Sequence, residues 1–202
     1  MKIFKIYPGS INSAAIDDAT DILSHSGTVI FPTDTIYGIG CDALDRKAID
    51  RLCRIKGINP DRQLLSVVCA SMSQAAEYAR IDNTTFNILK QYLPGPFTFI
   101  LPASNSLPKV FRGRKTVGIR IPDNSIALAL ARELDHPILT TSVEAENEYE
   151  LSSPESLGLL YHHSVDALVN GGEGGTEPST IVDLTDSGVP EIIRQGKGIF
   201  EG

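Results

Sequence analysis

Short apolar runs alternate along the chain with segments of helical period, and Gly, Pro or a capping residue marks most changes. Residues 2–7, 28–31, 64–69, 97–101, 117–121, 138–141, 167–169, 180–184 and 191–194 read as strands. Between them, 13–23 places Ala15, Ile16, Ala19, Ile22 and Leu23 at helical spacing and stops before Gly27. Asp45 caps a helix whose one face carries Ala48, Ile49, Leu52, Cys53 and Ile55. Further helices are predicted over 73–79, 82–92 and 125–134, with Pro94-Gly95-Pro96 stopping the second. Helices alternating with strands, then late strands joined by short Gly/Pro turns, predict an α/β fold with a twisted mixed sheet and flanking helices. At 202 residues one domain, 1–202, is expected. The acidic stretch 144–153 has no period and is expected to be an irregular, mobile loop over a site.

Composition narrows the function classes. Apolar residues make up 42% and charged residues 21%, which fits a globular chain rather than a disordered one. No apolar run approaches the roughly 20 residues of a membrane span, and no long apolar segment follows Met1, so a cytoplasmic protein with no membrane partner is expected. Cys41, Cys53 and Cys69 form no C-x-x-C pair, and the four histidines lie in no metal spacing. They are expected to build no disulfide framework and no metal site. The net charge of −7 is unevenly spread. Positions 46–62 hold six basic residues against two acidic, and 109–120 hold five basic and none acidic. Over 123–186 Arg132 is the sole basic residue among thirteen acids. Such segregation suits one positively lined groove better than a general polyanion binder.

The common nucleotide fingerprints are absent. No G-x-x-x-x-G-K-[ST] occurs, Gly171-Gly172-Glu173-Gly174-Gly175 lacks the lysine, and there is no G-x-S-x-G elbow. What remains is a set of polar clusters at strand ends, where α/β sheets hold their ligands. Pro32-Thr33-Asp34-Thr35-Ile36-Tyr37-Gly38 follows one strand, Thr140-Thr141-Ser142 ends another, and Ser179-Thr180 and Arg194-Gln195-Gly196 lie further on. Thr116-Val117-Gly118-Ile119-Arg120-Ile121-Pro122 sets an arginine inside an apolar strand, which is costly unless it meets an anion. Together these groups offer hydroxyls for an amino acid or sugar and cations for phosphates.

Their order and spacing, with Pro94-Gly95-Pro96-Phe97-Thr98 and Ser179-Thr180-Ile181-Val182-Asp183, resemble the YrdC/YciO family of threonylcarbamoyl-AMP synthase-like proteins over essentially the whole chain. Cys53-Arg54-Ile55-Lys56, Ile126-Ala127-Leu128-Ala129-Leu130 and Val182-Asp183-Leu184-Thr185-Asp186 make it most similar to the YciO branch. The resemblance implies a YrdC-like sheet around a deep, positively lined cleft, with ATP or AMP, L-threonine and bicarbonate as ligands and magnesium arriving with ATP. It implies a nucleotidyltransferase reaction feeding tRNA modification. By the same resemblance, Thr33, Thr35, Arg120, Thr140, Ser179 and Thr180 would face the amino acid, and Lys56, Thr116, Ser142 and Arg194 the nucleotide. The family's synthases carry Lys-x-Arg and Ser-x-Asn signatures; here these read Lys56-Gly57-Ile58 and Ser142-Val143-Glu144. The alternative is a protein binding tRNA, ribosomes or double-stranded RNA without synthase activity, through Arg54, Arg62, Arg112, Arg114 and Lys115.

Overall fold

The computed structural model describes the chain except residues 8, 60–62, 113–114, 187–188 and 202, and the side chains of Val110 and Arg112 also lie outside the described set. In chain order the elements are β1 (Lys2–Lys5), α1 (Ser13–Ser24), β2 (Val29–Phe31), β3 (Gly38–Asp42), α2 (Arg46–Lys56), β4 (Ser66–Val68), α3 (Met72–Tyr78), α4 (Asn83–Tyr92) and β5 (Phe97–Pro102). There follow α5 (Lys109–Arg112), β6 (Thr116–Arg120), α6 (Ser125–Leu134), β7 (Ile138–Ser142), α7 (Glu148–Ser152), α8 (Pro154–Leu160), β8 (Ala167–Asn170), β9 (Thr180–Asp183) and β10 (Glu191–Arg194). The strands form one mixed sheet in the order β1-β8-β2-β3-β7-β4-β6-β5-β9-β10.

Both faces of the central strands are buried, and alternate residues belong to different clusters, whereas the edge strands β1 and β10 are largely exposed. Val29, Phe31, Val68, Ile138, Ala167 and Val169 pack with α1 (Ala15, Ile16, Ala19, Leu23) and α6 (Ile126, Ala127, Leu130, Ala131). Ile30, Ile39, Val67, Val117, Ile119, Leu139 and Leu168 belong to the larger cluster on the other face, which includes α2 through Ala48, Ile49 and Leu52. Helix starts follow capping chemistry. Asp45 accepts from Lys47 and Ala48 N–H at the start of α2, and Asn124 does the same for α6 through Ile126 and Ala127. Gly57, left-handed at φ 63°, ends α2.

Four elements, β3, α5, α7 and α8, are absent from the sequence reading. β3 is a five-residue strand that no apolar run announces, because two of its residues are glycines with no strand preference of their own. The stretch 144–153 contains α7, capped by Asn147, so it is not an irregular loop throughout; a helix of five residues is too short to show a period. α8 follows directly, with Ser153 as its cap and Pro154 in its first turn. Cys41, Cys53 and Cys69 are free and buried. No helix among the described residues is long and apolar enough to cross a membrane.

One polar clamp fixes α2 to the sheet. Asp166, just before β8, accepts from Arg51 Nη1 at 2.6 Å and Nη2 at 2.9 Å, and from Thr28 N at 2.8 Å. Burial pushes its carboxyl up, but the hydrogen bonds from Arg51 and Thr28 outweigh that and hold it below the ordinary carboxylate range. Its stabilising share is therefore complete above the unfolded value near ~3.9 and is lost as the pH falls through the lower folded value. Asp166→Asn is expected to cost about 1–2 kcal/mol at neutral pH, the clamp being only partly buried. It should also flatten the loss of stability below about pH 4. Urea titrations of both proteins across pH check both effects.

Candidate functional site

On the face that packs against α1 and α6, the register carries a second, polar region. Phe31 pairs with Gly38 and Gly38 with Ser142, Thr140 pairs with Ser66, and Ser66 pairs with Gly118. Paired residues share a face, so Gly38, Ser142, Thr140, Ser66, Gly118 and, two residues on, Arg120 all point the same way. Glycine keeps this floor low. A Cβ on Gly118 would stand 2.4 Å from Ser66 Oγ and 3.0 Å from Thr98 Cγ2, and one on Gly38 would stand 2.7 Å from Thr140 Oγ1. β4 begins at Ser66, opposite Thr140, while β7 runs on to Ser142. A cavity of about 190 Å3 lies at this step. Ser66, Thr98, Arg120, Thr140, Ser142, Ser179 and Arg194 line it, and Leu52, Cys53, Ile58, Leu64 and Leu65 give it an apolar wall. Burial pushes the Cys53 thiol up, so it lines the cavity in neutral form.

The charges on the floor are held by neighbours. Arg120 is 6% exposed; its Nη2 donates to Asp34 Oδ1 at 3.1 Å and to Thr35 Oγ1 at 3.0 Å. Its Nε is buried with no hydrogen-bond partner among the described residues. Burial lowers the Arg120 pKa, and Asp34 works against that shift. Asp34 also accepts from Asp123 N at 3.0 Å. Thr33 Oγ1 accepts from Thr35 N at 3.0 Å and donates to Ile36 O at 2.8 Å. The two threonines thus build the turn that presents Asp34 and orients Arg120, and neither lines the cavity. At the other end, Arg194 Nη2 donates to Ser179 O at 2.7 Å, and the Ser179 and Thr98 hydroxyls meet at 2.9 Å. The Thr180 hydroxyl donates to Gly198 O and accepts from Gly196 N at 2.9 Å, which makes it a brace for the C-terminal segment.

Lys56 and Glu144 meet beside this cavity. The Lys56 side chain is 4% exposed, and its Nζ lies 2.7 Å from Glu144 Oε1, while the Glu144 side chain is 81% exposed. The contact is an ion pair, and Nζ makes no hydrogen bond among the described residues. The Glu144 backbone is clasped by Tyr161: Glu144 N donates to the phenol oxygen at 2.9 Å, and the hydroxyl donates back to Glu144 O at 3.2 Å. Val143 N donates to Tyr37 O at 3.0 Å.

The structure brings Arg120, Thr140, Ser142, Ser179 and Arg194 together around one cavity, with Lys56 next to it. Thr116 stands apart, at the other end of β6 from Arg120 and opposite Pro102. Of the basic residues expected at a nucleic-acid surface, Arg54 and Lys115 are exposed. Arg62 and Arg114 lie outside the described residues, as does the Arg112 side chain. Ser66, Thr98, Asp34 and Glu144 enter the site without having been singled out as ligand residues. For Ser66 the available signal was a lone hydroxyl at the mouth of an apolar strand. For Asp34 it was the need of a buried arginine for an anion.

The family model Sua5/yciO/yrdC, described as telomere recombination, matches residues 21–196. The chain belongs to the Sua5/YciO/YrdC family. An uncharacterized protein of Haemophilus influenzae is 39% identical over 98% of this chain and 96% of its own length. The crystal structure of Escherichia coli YciO, 34% identical, superposes with a TM-score of 0.92 and covers 100% of this chain and 98% of that one. A threonylcarbamoyl-AMP synthase of Pyrococcus abyssi is 32% identical over 88% of this chain and only 53% of its own length. The structure of P. abyssi Sua5 complexed with L-threonine, 30% identical, has a TM-score of 0.86 over 97% of this chain and 58% of that one. The family thus includes threonylcarbamoyl-AMP synthases more than half as long again as this chain and others of about its length, and E. coli YciO shares the whole fold.

Breaking a buried ion pair leaves an uncompensated charge, at a cost of about 3–5 kcal/mol. Asp34→Asn is expected to destabilise the protein on that scale in urea unfolding. Added inorganic phosphate should restabilise it more than the parent protein, because Arg120 then seeks an anion.

Proposed function

We propose that this cavity holds an amino acid and an adenine nucleotide and supports the formation of threonylcarbamoyl-AMP from L-threonine, bicarbonate and ATP. The observation that carries this reading is the pair of nine-tenths-buried cationic side chains, Arg120, whose Nε has no hydrogen-bond partner among the described residues, and Lys56, whose ion-pair partner Glu144 is four-fifths exposed. Buried donors of this kind are costly unless an anion completes them. In this reading Arg120, Arg194, Thr140, Ser179 and Thr98 take the carboxylate and hydroxyl of the amino acid, while Lys56 and Ser142 lie on the nucleotide side. Thr33, Thr35 and Thr180 hold these groups in place rather than touching ligand.

The chemistry asks little of the protein beyond position and charge. The threonine amine and bicarbonate condense to a carbamate. A carbamate oxygen attacks the α-phosphorus of ATP and pyrophosphate leaves, so no protein nucleophile is required. Magnesium enters with the phosphates and needs few protein ligands. No group of three His, Cys, Asp or Glu side chains able to hold a metal occurs among the described residues, and the proposal assigns the ion none.

Ile58 and Glu144 stand where the synthase signatures have arginine and asparagine, so turnover by this chain is expected to be slow. Pyrophosphate release should require both threonine and bicarbonate. It should rise roughly ten- to a hundredfold in an Ile58→Arg, Glu144→Asn double variant, the scale of one regained charge-assisted phosphate contact. Release indifferent to threonine and bicarbonate, or silence from both proteins, overturns the reading.

The RNA-binding alternative rests on the basic stretches. In the first of these, Arg46 pairs with Asp50, Arg51 with Asp166 and Lys56 with Glu144, so three of its cations already have carboxylate partners within the chain. Nothing in the geometry favours this second reading over the first. RNA binding whose affinity falls steeply with salt would restore it.

A further inference from the structure

We infer that Glu144 is the specificity-determining residue of the cavity. Its carboxylate covers Lys56 as an internal counter-ion and so limits the phosphate chain the site accepts, favouring a nucleoside monophosphate over a nucleoside triphosphate. The inference rests on the nucleotide-side reading of Lys56 given above.

Burial is unequal across the pair. Lys56 Nζ is enclosed, yet the carboxylate 2.7 Å from it is four-fifths exposed. An ammonium shut away from water needs a partner, whereas a carboxylate in water does not. The pair is therefore held from the lysine side, and Glu144 loses little by turning outward. Its backbone stays in place when it does, because the Tyr161 hydroxyl holds both its N–H and its carbonyl. The glutamate thus behaves as a hinged cover on a fixed mount.

Position gives the cover its consequence. Lys56 lies three residues after Cys53 and two before Ile58, Glu144 lies two after Ser142, and Cys53, Ile58 and Ser142 all line the cavity. Neither Lys56 nor Glu144 does. The cavity in this closed arrangement is about 190 Å3, below the roughly 300–1,000 Å3 of sites that enclose drug-sized ligands. An anion that reaches Lys56 must displace Glu144 and then coexist with it a few ångströms away. A single phosphate held in the cavity at Ser142, short of Lys56, escapes this competition. Each further phosphate extended towards Lys56 meets both the occupied ammonium and a like charge, and that mixture of lost attraction and added repulsion is how specificity is built against an unwanted ligand.

The test measures AMP and ATP binding to the full chain by calorimetry, without divalent ions so that each phosphate keeps its charge. The parent protein is expected to bind AMP more tightly than ATP. Glu144→Gln, which keeps the shape and removes the charge, should tighten ATP by about tenfold or more and AMP by less than about threefold, the scale of one freed charge-assisted contact. Adding Lys56→Met to that variant should abolish the gain. An ATP-to-AMP ratio unchanged by Glu144→Gln, or a gain that survives loss of Lys56, overturns the inference while leaving the nucleotide site standing. Failure of the parent and of Glu144→Gln to bind AMP, ATP or inorganic phosphate overturns that site and the inference with it. Glu144 is exposed, so its variant is expected to fold, and its ratio alone decides the matter if the double variant does not.

Discussion

The buried pair of Arg120 and Asp34 is the contact on which the rest of the site depends. Arg120 sits at the end of a central strand, after the buried Val117, Gly118 and Ile119, and Asp34 comes from the loop between β2 and β3. The carboxylate also receives Asp123 N at the approach to α6, and the Asp34 carbonyl receives Lys197 Nζ at 2.7 Å from the C-terminal segment. Two segments far from it in sequence, 120–123 and the one carrying Lys197, therefore converge on Asp34. An ion pair in such a place adds little net stability compared with well-packed apolar residues. What it does achieve is a fixed guanidinium in the cavity lining, with an Nε that has no hydrogen-bond partner among the described residues.

The apolar architecture makes room for this by dividing one face of the sheet. α1 and α6 cover the part carrying Phe31, Val68 and Ile138. Two residues along the same strands from Val68 and Ile138 stand Ser66 and Thr140, and Gly38 lies opposite Phe31 on β3; these side chains are too small or too polar to be buried under a third helix. Gly118 and Gly38 are required here by space rather than by backbone conformation, since a Cβ at either would collide with a hydroxyl of the floor. The step where β4 starts opposite the middle of β7 then opens the cavity towards Leu64, Leu65 and α2.

Much of this was legible in the sequence. The strands ending at Phe31 and Arg120, the Asp45 cap and the Ala/Leu-rich helix at 125–134 follow from period and capping, because those signals are local. β3 escaped notice because its glycines serve the cavity, and a residue chosen for lack of bulk carries no strand preference. For the site, residue type marked Arg120, Thr140, Ser142, Ser179 and Arg194, which the structure gathers round one cavity. It marked Thr33, Thr35 and Thr180 equally, although their hydroxyls are consumed by turns and braces. A hydroxyl that binds ligand and one that binds backbone look alike until the register is known. The pairing of Lys56 with Glu144 spans 88 positions and has no local signature at all.

That last pairing also explains how a chain can keep the frame of a family while changing what the frame accepts. An enclosed lysine is a liability in the unliganded protein, since its ammonium must be balanced whether or not a ligand is present. A neutral residue at position 144 would leave that balance to the ligand, giving tight anion binding at a cost in stability of the empty state. A glutamate there supplies the charge from within the chain, so the empty state is better balanced and an incoming anion gains less. The clasp by Tyr161 fixes the Glu144 backbone, so the competition is confined to one short side chain. Stability of the empty fold and affinity for highly charged ligands are in this way set against each other at a single position.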